Sequence, residues 1–354
     1  MKDFILKMIE LKNINYPDFD YMLWKKGTLY VRNRRLKFNK DAGKYKSIDL
    51  KDKYCIPSLV EPHCHIGICR KGEKDTQNAL VHKVPFVFNN NLSQKFSFKD
   101  ESFKDIDNKG IKFISVDPGS TSYFSGNCFF LDLTKKSIRA TNSFKMAVGS
   151  IPFENHFKRL ALSNESDCFH ELEKFFSKKA PEMINKTIKV HVYKKSDILK
   201  MIDLKEKYNF KLVILHGNDL VKLSKIQLNK IDGIILGPII HTSLKKEGKS
   251  DLIKTALYLY NNNIKFAITT DHPVTPLQYL RLNAIILKNE GVDTLTSIKL
   301  ITKNAAKILQ MDNYGEIKEN FKANLLIFNA DPMKIESKII YEIEEGEIKN
   351  VRNN

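Results

Sequence analysis

Membrane-length apolar runs are missing from this chain of 354 residues, and a helix crossing a bilayer needs about 20 such residues. The opening stretch MKDFILKMIELKN is broken by charge every few positions. It lacks the apolar centre and small-residue cleavage site of a secretory signal. Cysteine is scarce and odd in number, with Cys55, Cys64, Cys69, Cys128 and Cys168 scattered and no CxxC pair. That argues against a zinc ribbon and a secreted disulfide framework, and a cytoplasmic location is the expectation. Glycine numbers only 15, and neither GxGxxG nor GxxxxGK followed by Ser or Thr occurs, which weighs against a nucleotide-binding fold. Negative charge is in the minority: 59 Lys plus Arg face 41 Asp plus Glu, a formal +18. The excess is spread out with no dense basic block, so it reads as a lysine-rich coat. A nucleic-acid partner is not expected, while an anionic small molecule would suit the charge.

What is present is ordinary globular composition, 42% hydrophobic, long enough for one large domain and one small one. From about residue 111, short β-branched runs recur: IKFISVDPGS, CFFLDL, SFKMAVG, TIKVHV, KLVILHG, GIILGP and KFAITTD. Helix-like stretches separate the later ones, such as SDILKMIDLKEKYN, with Ser196 and Asp197 as candidate caps. This alternation predicts a parallel α/β architecture, a barrel or a doubly wound sheet. Between ISVDPG and CFFLDL there is no room for a helix, so a hairpin-like excursion is expected there. Both ends of the chain are strand-rich and are expected to pair into one small β domain. Residues 68 to 110 read as a long irregular loop.

The strongest local signal is Pro57-Ser-Leu-Val-Glu-Pro-His63-Cys-His65-Ile-Gly67. Residues i and i+2 of a strand share a face, so His63 and His65 can grip one ion together. Taken alone, two incidental histidines would be the plainer reading. His191, His216 and Asp271, however, each end a separate predicted strand. In a barrel of parallel strands those ends meet at one mouth, where active sites form. The nitrogen and oxygen ligands suit Zn²⁺, and also Fe²⁺ or Mn²⁺.

In these residues the sequence resembles the amidohydrolase superfamily. The likeness runs from the motif Pro57-x-x-Val60-Glu61-x-His63-x-His65-x-Gly67, through His191, His216 and TTDHPVTP, to NAAKILQMDNYGEIKENFKANLLIFNADP. It spans roughly residues 25 to 350 and is most similar to the imidazolonepropionase-like branch. The resemblance implies a metal-dependent (β/α)8 TIM barrel over 58–313. A small β-sandwich domain would be built from 1–57 and 314–354. It implies hydrolysis of a C–N bond in a cyclic or linear amide other than a peptide. His63, His65, His191 and Asp271 would hold the metal. Asp271 would also serve as general base, and His216 would polarise the substrate carbonyl or hold a second ion. One metal is the expectation, with two as the alternative. Some members of the superfamily bridge two metals with a carboxylated lysine, and Lys145 in SFKMAVG stands at the matching strand. Alternation of strand faces and the abundance of lysine favour a solvent-facing Lys145 instead. Two further alternatives are a dipeptidase- or prolidase-like binuclear peptidase of the same fold and a non-catalytic binding protein. A homo-oligomer is compatible with all of them.

The sequence departs from the family pattern at Ser58, Glu61, Phe321 and Asn324, none of them an expected ligand. His272 is read equally as a substrate contact or a packed loop residue, and His241 as a mouth residue. His82, His156 and His170 read as surface or core residues, and Cys64 as pointing away from the ligands. Arg281 and Tyr279 read as part of a helix start rather than as contacts to an anionic substrate.

Overall fold

The computed structural model describes residues 8–70, 84–90, 92–240 and 251–351. In chain order the strands are β1 (Met8–Asp18), β2 (Leu23–Arg32), β3 (Arg35–Lys37), β4 (Tyr45–Asp49), β5 (Tyr54–Pro57), β6 (Leu59–Cys64), β7 (Ile111–Val116) and β8 (Phe124–Asp132). They continue as β9 (Ser137–Ala147), β10 (Thr187–Val192), β11 (Lys211–His216), β12 (Gly233–Leu236), β13 (Ala267–Ile268), β14 (Leu325–Phe328), β15 (Ile339–Glu344) and β16 (Glu347–Asn350).

The strand-rich ends do pair. β5 lies antiparallel to β14, with Ile56 opposite Leu326, in a sheet ordered β16-β15-β14-β5-β1-β2-β3 with β4 also on β1. Alternating apolar residues give this sheet one core, including Ile9, Leu11, Ile14, Leu29, Val31 and Leu325. The expected sandwich is thus a single branched sheet: β1 pairs with β4 in its first half and touches β5 in its second. A bulge between Leu11 and Ile14 keeps both halves facing the same core.

The second sheet runs β13-β12-β11-β10-β9-β8-β7-β6 and curls into an almost closed barrel with helices outside. Seven strands are parallel, but β8 is antiparallel to both β7 and β9. The few residues linking these strands leave no room for crossover helices. Residues 195–208 form a helix that starts before Ser196, so neither Ser196 nor Asp197 caps it. Asp219 accepts the Lys195 amide instead, at 3.1 Å. The short helix Lys303–Ile308 plugs the floor of the barrel, its Ile308 packing on Val213, Leu215 and Ile235. Between β6 and β13 no ladder is formed among the described residues. Side chains close that seam: the Glu61 carboxylate accepts from Thr269 Oγ1, Thr270 N and Thr270 Oγ1. The His65 amide donates to His272 O at 2.8 Å. No described helix is long and apolar enough to cross a membrane.

Candidate metal centre

Strand alternation delivers most of the site. On β10, Thr187, Lys189 and His191 share the lumen-facing parity, as do Phe113, Ser115 and Asp117 at β7. His63, His65, His191 and His216 are buried at the mouth. His63 Nε2 lies 3.1 Å from Asp271 Oδ1, and His65 Nε2 lies 3.5 Å from the same oxygen. One ligand atom each from His63, His216 and Asp271 falls within 4.8 Å of the others. The His191 and His216 rings stand edge to face, with centroids 4.4 Å apart.

His216 and Asp271 both have left-handed backbones, with φ of 68° and 51°, a sparsely populated region for residues other than glycine. On β11, Val213 and Leu215 face the lumen, so strict alternation would turn His216 outward. The left-handed turn re-aims it toward His63 and Asp271. Its Nδ1 bonds Gly237 O at 2.6 Å. Only glycine fits at 237, since a Cβ there would sit 2.4 Å from Thr269 O at a φ of 138°.

The outer ring nitrogens decide what the inner ones can do. His65 Nδ1 lies 2.7 Å from the backbone oxygen of Asp117, and His216 Nδ1 contacts another carbonyl. A carbonyl only accepts, so both Nδ1 atoms carry the proton. His63 Nδ1 donates in turn to the Asp117 carboxylate at 2.7 Å. In the neutral rings the Nε2 lone pairs are therefore bare. The Nε2 atoms of His63, His191 and His216 are buried with no hydrogen-bond partner among the described residues. The 3.1 Å approach of His63 Nε2 to Asp271 lies outside hydrogen-bonding geometry. Buried acceptors that converge with no donor between them fit a cation.

The electrostatics agree. Burial would raise the Asp271 carboxyl, but His63 and His65 beside it hold it well below the usual range. Burial pushes His216 down to about 4. Burial, with His216 adjacent, pushes His191 well below its ordinary value. Burial also disfavours a charged His63, but Asp117 and Asp271 outweigh it and raise its affinity for a proton, as they would for a metal.

Lys145 requires a correction: it is fully buried rather than solvent-facing. A strand in a closed barrel has no solvent face; its two sides meet the lumen and the helix layer. Lys145 takes the lumen side, donating to Ser120 Oγ at 2.8 Å and Pro118 O at 3.4 Å. Burial lowers its pKa against the pull of Asp117 and Asp271.

His272 is buried with neither ring nitrogen hydrogen-bonded. Arg281 is used structurally, its Nη1 donating to Pro332 O at 2.7 Å and Nη2 to Ser337 O at 3.1 Å. Tyr279 ends a 3₁₀ turn that leads into the helix Leu280–Asn289. His156 is buried in the helix Ser150–Leu160 and His170 is exposed. Cys64 packs in the hydrophobic core. His82 and His241 lie outside the described residues. Sequence reasoning passed over Asp117 and Lys189. Asp117 closes the run ISVDPG at a strand end, the same signal that marked His191, His216 and Asp271.

A barrel with buried nitrogen and oxygen donors at the C-terminal ends of its strands places a potential cation site where barrel active sites form. The amidohydrolase family profile matches residues 244–352. The fold is similar to that of an amidohydrolase from Thermotoga maritima MSB8, with TM-score 0.81 and 22% identity over 97% of this chain and 100% of that one. A β-aspartyl dipeptidase from Fervidobacterium islandicum AW-1 superposes with TM-score 0.57 and 15% identity, covering 99% of each chain. The N-isopropylammelide isopropylaminohydrolase of Burkholderia multivorans ATCC 17616 gives 0.58 and 10%, over 97% of this chain and 98% of that one. No curated protein is similar enough in sequence to count as a relative. The family match is confined to the last third of the chain, and the solved structures share its fold over nearly the whole length. Nothing in these likenesses singles out the imidazolonepropionase-like branch.

Proposed function

We propose that the chain is a metal-dependent amidohydrolase that cleaves a C–N bond of a small cyclic or linear amide. The observation that carries this reading is the convergence of His63, His216 and Asp271, whose ligand atoms lie within 4.8 Å of one another, with the Nε2 atoms of both histidines buried and unpartnered among the described residues. His63, His65, His191 and Asp271 would hold the cation, and Zn²⁺, Fe²⁺ or Mn²⁺ suits such donors. A bound divalent cation supplies Lewis acidity, which polarises a carbonyl and makes water a stronger acid. Asp271 stays ionised, so it can take a proton from the attacking water and pass it to the leaving nitrogen. His216, with its proton fixed on Nδ1, presents a lone pair inward. In the neutral form it suits a second cation better than donation to an oxyanion. The barrel and its mouth, residues 58–313, would form the catalytic unit, and the lysine-rich surface favours anionic substrates.

A second, binuclear reading is favoured by one observation. Lys145 is a buried amine beside the site with no carboxylate within ion-pair distance among the described residues, the environment in which a lysine can exist as a carbamate. That arrangement would suit a dipeptidase-like activity.

The test is to strip the purified protein with a chelator, then add back Zn²⁺ or Mn²⁺ over a panel of amides, lactams and dipeptides. Activity should vanish and return with the ion. A protein that takes up neither metal sinks both enzymatic readings and leaves a binding protein.

A further inference from the structure

We infer that Asp117 and Lys189 form a positioning unit that selects the tautomer of both histidines in the His63-x-His65 pair and ties them to the opposite wall of the barrel. This rests on the metal-centre reading for its consequence, though not for its geometry.

Asp117 uses two different groups. Its carboxylate Oδ2 takes the His63 Nδ1 proton at 2.7 Å, and its backbone oxygen takes the His65 Nδ1 proton at 2.7 Å. One residue at the end of β7 thus turns both imidazoles so that their Nε2 atoms face the site. Ser115 Oγ donates to the other carboxylate oxygen at 2.8 Å.

The carboxylate is wholly buried and needs a counter-charge. Lys189 supplies it, with Nζ 3.1 Å from both Asp117 oxygens. Burial would raise the Asp117 carboxyl, but Lys189 and then His63 hold it far below the usual carboxylate range.

Lys189 stands two residues before His191 on the same face of β10, which is separated from β6 by three strands in the sheet. Its ammonium crosses the lumen to reach Pro62 O at 3.0 Å and Ser115 Oγ at 2.7 Å. Lys189 is therefore a strut from the strand carrying His191 to Asp117 at the end of β7 and to Pro62 on β6, the strand that carries His63 and leads into His65. Residues that orient metal ligands from behind typically change metal affinity by about 10- to 100-fold when altered.

The experiment reads tautomers and metal affinity, not turnover. In metal-free wild-type protein labelled with ¹⁵N-histidine, the neutral rings of His63 and His65 should carry their proton on Nδ1. A neutral Nε2–H tautomer at either ring overturns the proposal with no variant needed. Asp117→Asn combined with Lys189→Met removes both charges and keeps the volumes. This double variant should fold, show mixed tautomers at His63, and bind Zn²⁺ about 10- to 100-fold more weakly in competition with a chromophoric chelator. Lys189→Arg, which keeps the cation, should retain most of the affinity. A double variant with wild-type tautomers and Zn²⁺ affinity within about twofold would overturn the inference. Should wild-type protein bind neither Zn²⁺ nor Mn²⁺, the proposed activity fails, and the tautomer measurement still decides the positioning role.

Discussion

The two ends of the barrel treat polar groups in opposite ways. At the N-terminal ends of β10, β11 and β12 lies a cavity of about 500 Å³, lined in part by Thr187, Lys211, Asn304, Lys307 and Gln310. Its polar groups are satisfied or wet: Gln310 donates to Thr187 and Asn304 to Phe266 O, each at 2.7 Å, while Lys211 and Lys307 are exposed. At the C-terminal ends, histidine acceptors are buried with no donor. Buried polar groups are almost always paired, so an unpaired cluster marks a site that expects a ligand. Available space alone marks no chemistry, and this opening sits opposite the donors.

The sharpest way to break this contrast is at Asp271. Asp271→Asn should lower turnover by at least about 100- to 10,000-fold, the contribution of a positioned proton carrier, with the secondary structure intact by circular dichroism. Retained activity would show that another group carries the proton.

The acid response of the metal-free protein comes next. His216 and His272 are both held near 4 by burial, below the 6.5 of an unfolded histidine. Between those values the unfolded chain binds more protons, so their contribution to stability is complete above pH 6.5 and is lost as pH falls toward 4. Each can cost on the order of 3 kcal/mol. Glu61, raised to about 7 by burial, acts in the opposite sense from pH 4.5 upward, but a single group does not cancel the histidines. Urea midpoints should fall steadily from pH 6.5 to 4.5, and a flat profile would contradict this environment for the rings.

Lys145→Met should raise the melting temperature by removing a buried amine that burial disfavours in its charged form. Under the one-metal reading it should leave the metal content at one equivalent; halving of the bound metal would favour the binuclear reading. The smallest effect belongs to the other end of the barrel. Lys211→Ala with Lys307→Ala should change stability by no more than about 0.5 kcal/mol and leave kcat and KM unaltered. A large change in KM would mean that the cavity communicates with the site.

His63, His65, His191 and Asp271 were legible because each sits at a strand end, where chain order alone carries it to the mouth. The excursion around β8 was legible from spacing, since nothing between Val116 and Phe124 could make a crossover helix. Lys145 was misread because alternation was taken to divide lumen from solvent, whereas a covered barrel offers solvent to neither face. His216 was found by its strand-end position, although alternation alone would have turned it away. Asp117 and Lys189 stayed hidden because their meaning lies in a pairing across the lumen, which no local spacing records.

The missing ladder between β6 and β13 has a mechanical consequence. A barrel wall is weakest where adjacent strands lack a continuous ladder of backbone hydrogen bonds, and such places open first in local fluctuations. His63 and His65 stand on one lip of that gap and Asp271 on the other. An ion gripped by all three, as proposed, would act as a clasp. It would fasten the wall at its open edge and slow amide exchange at His65 and Thr270, so the fold would be finished by the same ion the proposed chemistry uses.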